Sequence, residues 1–200
     1  MSQVESTKEL KKVAQTIFNA GIQAVDPVAC LHRHIRMADG NLQVGKTQYC
    51  FKDINRIYLI GVGKASSVMA RWAEELLGNH IHDGLVITKY KHGVPLSRCR
   101  IMEAGHPVPD TEGVSATKAL LELISKACPK DLILCMISGG ASALTPAPAK
   151  GISLKDKQEV TRLLLDCGAT IHEINTIRKH LSQIKGGSCV VMPTVPVLFH

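Results

Sequence analysis

Residues 132–144 have the sequence LILCMISGGASAL, in which six apolar residues precede a serine and two glycines. A short, unbroken apolar run that ends at turn residues is typical of a strand buried on both faces of a parallel sheet. Open α/β proteins bind ligands just beyond the carboxyl ends of such strands. Gly139 and Gly140 let the backbone approach a ligand closely, and Ser138 and Ser142 add hydroxyl groups. The stretch predicts a loop that binds phosphate or carboxylate, with a glycine-rich turn lacking any ligand as the alternative.

The segments on either side of this stretch alternate between strand and helix patterns. Their order predicts an α/β fold, a Rossmann-like and mostly parallel sheet with helices on both faces. The hydrophobic periodicity and the turn residues predict helices at 6–25, 28–35, 67–77, 110–127, 154–166 and 171–185, a hairpin at 42–44 and 48–51, and further strands at 57–60, 84–88 and 99–103.

The composition favours a protein that binds a small anion. The chain has 200 residues, enough for one α/β domain, and a formal net charge of +7. It has no block of five basic residues and only 4% aromatic residues, which disfavours nucleic acid as a partner. The sequence shows neither a signal peptide nor an apolar run long enough to span a membrane. The seven cysteines form no disulfide or zinc pattern, so we expect a cytoplasmic protein.

The second glycine-containing loop, Gly61-Val62-Gly63-Lys64, connects a predicted strand to a predicted helix. Backbone amides and the helix dipole favour an anion at such a position. The loop is not a P-loop, because Ala65 follows the lysine, and it is not a dinucleotide motif, because Ser66 replaces the third glycine. A lysine at a helix N-terminus opposes the dipole, a cost that a bound phosphate would offset. Lys64 is therefore either a phosphate ligand or a solvated surface lysine.

Histidines supply further candidate groups. His106 lies between Gly105 and Pro107 in a loop that two prolines stiffen. A single loop histidine is more often incidental than catalytic, and the stiffness of this loop strengthens the case for a functional role. The pairs His32/His34 and His80/His82 would each share one face of a strand, as metal ligands can, but carboxylate partners are not evidently placed to complete a metal site. We assign no metal ligands.

The last predicted helix carries an unusual polar stripe. Asn175, Arg178, Ser182 and Lys185 follow one another at helical spacing, and no acidic residue accompanies them. An amide, a guanidinium, a hydroxyl and an ammonium group can together hold phosphate or carboxylate. A solvated helix face is the alternative.

Taken together, these segments resemble the type II glycerate kinases. Four stretches carry the resemblance and occur in the family's order, within residues 8–187. They are GVGKA at 61–65, GHPVPD at 105–110, SGGASAL at 138–144 and IHEINTIRKHLSQIKGG at 171–187.

The resemblance implies a kinase that transfers a phosphoryl group from ATP, with Mg2+, to the 2-hydroxyl of D-glycerate in a cleft between two domains. It implies catalytic roles for Lys64 and Arg178 and substrate contacts for His106, Asn175 and Lys185. It implies nucleotide contacts for a set of glycines and serines, namely Gly61, Gly63, Ser138, Gly139, Gly140 and Ser142. A homo-oligomer is left open.

The chain also departs from the family. Type II glycerate kinases are about twice as long, and residues 188–200 do not resemble their continuation, so we assign 1–187 to an N-terminal α/β domain and 188–200 to an irregular tail. Ala141 stands where the family usually has glycine. A non-catalytic nucleotide- or anion-binding module and an NAD(P)-dependent hydroxypyruvate reductase are the alternatives, the second disfavoured by the missing dinucleotide motif.

Overall fold

The computed structural model describes residues 3–187 and 197–199 and has a five-stranded parallel sheet at its centre. The strand order is β6-β5-β4-β7-β8, and every neighbouring pair is parallel. The predicted α/β fold with a mostly parallel sheet is therefore confirmed. The strands are β4 (Ile57–Val62), β5 (Ile81–Lys89), β6 (Arg100–Ala104), β7 (Leu132–Ile137) and β8 (Val197–Phe199).

Helices cover both faces of this sheet because successive strand residues point to opposite sides. Leu59 and Leu134 pack towards Trp72 of α3, while Ile60 and Ile133 pack on the other face, the face of α4. The helices are α1 (Gln3–Ala24), α2 (Pro27–His34), α3 (Ser66–Leu77), α4 (Thr111–Ile124), α5 (Ala141–Leu144), α6 (Leu154–Asp166) and α7 (Ile171–His180).

A small antiparallel sheet follows α2 in the sequence and precedes the first strand of the central sheet. It consists of β1 (Ile35–Ala38), β2 (Asn41–Val44) and β3 (Thr47–Cys50). The hairpin of β2 and β3 agrees with the sequence pattern, whereas β1 was not expected. Ile35, at the end of the predicted second helix, instead begins β1 and is buried against the larger core.

The last helix ends earlier than its apolar periodicity predicts. Helix α7 stops at His180, not near residue 185, because the chain then pairs with residues 147–149. The backbone N–H of Ala149 donates to the carbonyl of Leu181, and that of Gln183 donates to the carbonyl of Ala147. Ser182 and Lys185 therefore lie beyond the helix that was expected to carry them.

The predicted irregular tail, 188–200, lies largely outside the described residues. Within it the structure describes 197–199, which form β8 alongside β7 and are not irregular. In the described part of the chain, no helix combines the length and the apolar content of a membrane span.

Candidate active site

The loops after β4 and β7 lie side by side because these two strands are neighbours in the sheet. Ser138 connects them: its backbone N–H donates to the carbonyl of Val62 at 3.0 Å, and its Oγ accepts from the N–H of Ala65 at 3.0 Å. The N–H of Lys64 donates to the carbonyl of Gly139 at 2.9 Å. The two glycine-containing motifs of the sequence therefore form one structural unit at the carboxyl edge of the sheet.

Gly63 allows this close approach. Its φ is +132°, and a Cβ there would lie 2.2 Å from Oγ and 2.6 Å from the carbonyl oxygen of Ser138. Its carbonyl accepts hydrogen bonds from the hydroxyls of Ser66 and Thr88, at 2.7 and 3.0 Å. Gly61 lies inside β4, where a side chain would press against Val86. These two glycines serve packing in the structure, and their nucleotide contacts stay a prediction.

Lys64 and His106 flank the glycine turn that follows β7. Gly140 has a φ of +95°, and a Cβ there would lie 3.2 Å from Lys64 Cγ and 2.9 Å from His106 Cδ2. Lys64 is exposed and His106 is half-buried. Burial lowers the pKa of His106, and the charges of Lys64 and Lys89 lower it further, which favours the neutral imidazole. The structure thus brings together two predicted site residues that lie 42 positions apart in the sequence.

A cleft of about 420 Å³ adjoins Ser142, at the end of the same turn. Ser142, Asn175, Arg178 and Lys185 line it, so four of the predicted site residues share this cleft. Lys185 Nζ lies 3.4 Å from the carbonyl oxygen of Thr145. Burial lowers the pKa of Lys185 to about 8, and the nearby positive charges of two other cations add to the effect. Burial also lowers the pKa of Arg178.

Lys157 of α6 lies beside this cleft, and it was not predicted from the sequence. It is 8% exposed and lines a small cavity together with Ser142, Arg178 and Lys185. A signal was available in the sequence, because residue 157 lies three positions after Leu154 and four before Thr161, on the inward stripe of α6. A lysine on such a stripe is unusual, since lysine is almost never fully buried without a partner.

The paired histidines have structural contacts. His32 Nε2 accepts a hydrogen bond from Trp72 Nε1 at 3.0 Å. His80 stacks on Phe51, and His82 meets the edge of Tyr58. Within residues 3–187 and 197–199, no three histidine, cysteine or acidic side chains gather in a way that would hold a metal ion.

Comparison with known protein families identifies the relatives of this fold. Residues 13–194 match the model of a family described as a domain of unknown function, DUF4147. The chain belongs to the DUF4147 family. The match covers the loops after β4 and β7 and the cationic cleft, so the whole candidate site lies within the DUF4147 region.

The curated relatives of this DUF4147 chain include proteins named as glycerate kinases. A glycerate 2-kinase of Pyrococcus horikoshii is 38% identical over 184 residues, which are 92% of this chain and 41% of the relative. A D-glycerate 2-kinase of Thermotoga maritima is 40% identical over 181 residues, 90% of this chain and 40% of the relative. A putative hydroxypyruvate reductase of Agrobacterium vitis is 45% identical over 134 residues, 67% of this chain and 35% of the relative.

Two solved structures resemble this chain over most of its length. A crystal structure of a Pyrococcus horikoshii protein matches 94% of this chain and 42% of that chain, with a TM-score of 0.83 and 37% identity. The crystal structure of a glycerate kinase from Thermotoga maritima matches 95% of this chain and 42% of that chain, with a TM-score of 0.77 and 39% identity. The DUF4147 chain therefore spans about two fifths of the length of the relatives it matches.

Proposed function

We propose that this chain forms the nucleotide- and substrate-binding part of a glycerate 2-kinase, which transfers the γ-phosphoryl group of ATP to the 2-hydroxyl of D-glycerate. The names of the relatives support the reaction, and the site supports the chemistry. The observation that carries the proposal is the arrangement of cations around one glycine turn: Lys64 lies against Gly140, and Arg178 and Lys185 line a cleft together with Ser142.

Phosphoryl transfer suits such a site because its catalysis depends on positioning and on compensating negative charge. Lys64 and Arg178 would stabilise the charge that develops on the transferred group. The turn from Ser138 to Ser142 would hold the nucleotide phosphates through backbone N–H groups and hydroxyls.

The substrate would occupy the space beside these groups. Lys185 would contact D-glycerate and the phosphoryl group that it receives, and the amide of Asn175 would bind one of the substrate hydroxyls. The neutral imidazole of His106 can accept a hydrogen bond from the 2-hydroxyl that attacks the phosphoryl group.

The residues fit the two proposed cofactors unequally. The cationic groups and the glycine turn fit the phosphates of ATP. The residues that line the cleft include no carboxylate, so they do not themselves form a Mg2+ site. Mg2+ is therefore proposed only as the companion of the nucleotide phosphates.

An assay of ADP release with ATP, Mg2+ and D-glycerate tests the proposal. We expect turnover in a form of the protein extended to the full length of its relatives. Lys64→Ala should reduce kcat by at least about 100-fold, since it removes a preorganised cation from the transition state. Lys46→Ala, an exposed lysine in the turn between β2 and β3, is the matched control and should leave kcat unchanged. Unchanged activity in Lys64→Ala would remove Lys64 from the mechanism.

Binding without turnover would support a different role. A non-catalytic nucleotide-binding module would be stabilised by ATP in thermal unfolding and would release no ADP from the extended protein. Absence of both effects at millimolar ATP would contradict the kinase and the binding module alike.

The name of the Agrobacterium vitis relative provides a second candidate, reduction of hydroxypyruvate by NAD(P)H. The loop after β4 does not favour it, because Ser66 replaces the third glycine and its hydroxyl is bound to the carbonyls of Gly63 and Ile87. Oxidation of NADH in the presence of hydroxypyruvate would support the reductase.

A further inference from the structure

Lys157 carries a buried charge that no group in the described chain compensates. Its side chain is 8% exposed, and its Nζ has no hydrogen-bond partner among the described residues. An ammonium group loses several kcal/mol of hydration when it is buried, unless a paired anion or hydrogen bonds replace the water. A lysine in this position is therefore costly unless a ligand approaches it.

The surroundings of Lys157 increase this cost. Arg178 and Lys185 line the same small cavity, so three cationic side chains meet there. The cavity has a volume of about 10 Å³, enough for one water molecule or one ligand oxygen. Ser142, Arg178 and Lys185 also line the larger cleft, so the small cavity adjoins it.

The carboxylates nearest in sequence are engaged elsewhere. Asp156 and Glu173 complete the capping boxes of α6 and α7, with Ser153 and Thr170 as their partners. Glu159 and Asp166 both bind Arg162 on the outer face of α6. These four are all the acidic residues of the two helices. An anion that neutralises Lys157 must therefore come from elsewhere.

The number of charges indicates which anion fits. Three cations exceed the single charge of a carboxylate and are better matched by the double charge of a phosphoryl group. The planar guanidinium of Arg178 can bind two phosphoryl oxygens at once, and the hydroxyl of Ser142 provides another donor. Three ligand oxygens can thus face three cationic side chains.

We propose that Lys157, Arg178, Lys185 and Ser142 form a binding site for the phosphoryl group of a ligand, with Lys157 as its buried floor. The phosphoryl group lies in the larger cleft and directs one oxygen towards Lys157. The proposal that this site binds a phosphoryl group does not depend on the proposed kinase reaction. Whether that group belongs to the nucleotide or to a phosphorylated hydroxy acid rests on the proposed function.

Calorimetric titration of the 200-residue chain with inorganic phosphate, at constant ionic strength, tests the site. The wild-type chain should bind phosphate saturably. Lys157→Met should weaken binding by about 10- to 100-fold, the loss expected for one charge-assisted hydrogen bond. Lys155→Met, an exposed lysine two positions away on α6, should bind phosphate within twofold of the wild type. Lys157→Arg should retain most of the affinity.

Thermal unfolding without anions provides a second measurement. Lys157→Met should raise Tm, because it replaces an uncompensated buried charge with an apolar side chain of similar length, whereas Lys155→Met should not. Added phosphate should raise the Tm of the wild type and so reduce the difference in Tm between the wild type and Lys157→Met. If Lys157→Met does not fold, the stability argument is wrong, and Lys157→Gln then decides the binding argument by the same titration.

Competition experiments distinguish the source of the phosphoryl group. Displacement of phosphate by ADP would assign the site to the nucleotide, and displacement by 2-phosphoglycerate would assign it to the product. No saturable phosphate binding by the wild type, or equal affinity in Lys157→Met, would overturn the proposal and favour a protein carboxylate as the missing anion. Phosphate binding that depends on Lys157 would stand even if the extended protein showed no kinase activity.

Discussion

Gly63 shows at the scale of one residue how the candidate site is built. Its positive φ and the absence of a side chain let the loop after β4 contact Ser138. Gly63→Ala should lower the free energy of unfolding by roughly 2–4 kcal/mol, since it adds backbone strain and a steric clash with Ser138. Urea denaturation measures the loss.

Gly151→Ala is the matched control for that experiment. Gly151 also has a positive φ, +82°, but an added Cβ would meet no atom within 4 Å. It should therefore lose only about 1–2 kcal/mol, the cost of the backbone conformation. Equal losses in the two variants would show that the contact with Ser138 is unimportant.

Single residues also show what the sequence cannot reveal. The pattern around Gly63 predicted correctly a loop between a strand and a helix. It could not show that Gly63 packs against Ser138, because the two loops are far apart in the sequence; the hydrogen bond between Ala65 and Ser138 joins residues 73 positions apart. The helical stripe of α6 indicated that Lys157 faces inward, but it could not show that no partner compensates its charge, since that depends on which other elements surround α6.

Helix α1 leaves its apolar side chains exposed. Leu10, Ile17 and Phe18 on this helix are 67%, 68% and 65% exposed. Because these side chains bury little area within the described chain, removal of residues 1–24 should change the free energy of unfolding by less than about 1 kcal/mol. Urea denaturation of the shortened chain measures the change, and the m-value should fall only slightly.

A buried residue of the next helix is the comparison for this deletion. Leu31 of α2 is 4% exposed and belongs to the main core, so Leu31→Ala should cost about 2–5 kcal/mol. A loss of that size on removal of residues 1–24 would mean that α1 stabilises the fold by packing.

Elements differ in how well periodicity predicts them. Buried strands such as β4 and β7 were predicted almost to the residue, because an unbroken apolar run between turn residues has few other interpretations. The predicted end of α7 was wrong, because the chain after His180 pairs with residues 147–149 instead of continuing the helix. This pairing leaves no signal in the local hydrophobic periodicity. Tertiary pairing overrode local preference there.

At the scale of the whole molecule, part of the net charge of +7 is concentrated in one half-buried cleft. Composition predicted a small anionic ligand, and the polar stripe predicted three of the residues that line the cleft, Asn175, Arg178 and Lys185. The burial of a third cation beside Arg178 and Lys185 could not be predicted. It arises because α6 brings Lys157 against groups that follow it by 21 and 28 positions.

This buried charge should make the stability of the protein rise with pH above 8 when no anion is bound. Burial, together with the charges of Lys157 and Arg178, lowers the pKa of Lys185 to about 8, from an ordinary value of 10.5. Between these values the unfolded chain binds more protons than the folded chain, so stability increases with pH; below pH 8 both states are protonated and this contribution is constant. Lys157, whose pKa burial also lowers, acts in the same direction.

Urea denaturation between pH 8 and pH 9 tests this expectation. The free energy of unfolding of the wild type should rise by up to about 1 kcal/mol over this range. The range ends at pH 9 because burial raises the pKa of the Cys99 thiol above its ordinary value of 9.0, so the contribution of this thiol to stability is lost as pH rises further. Lys185→Met should remove most of the rise, and saturating phosphate should flatten it by favouring the charged lysines. A wild-type stability that is constant or falls from pH 8 to pH 9 would mean that the cleft holds its cations without an energetic cost.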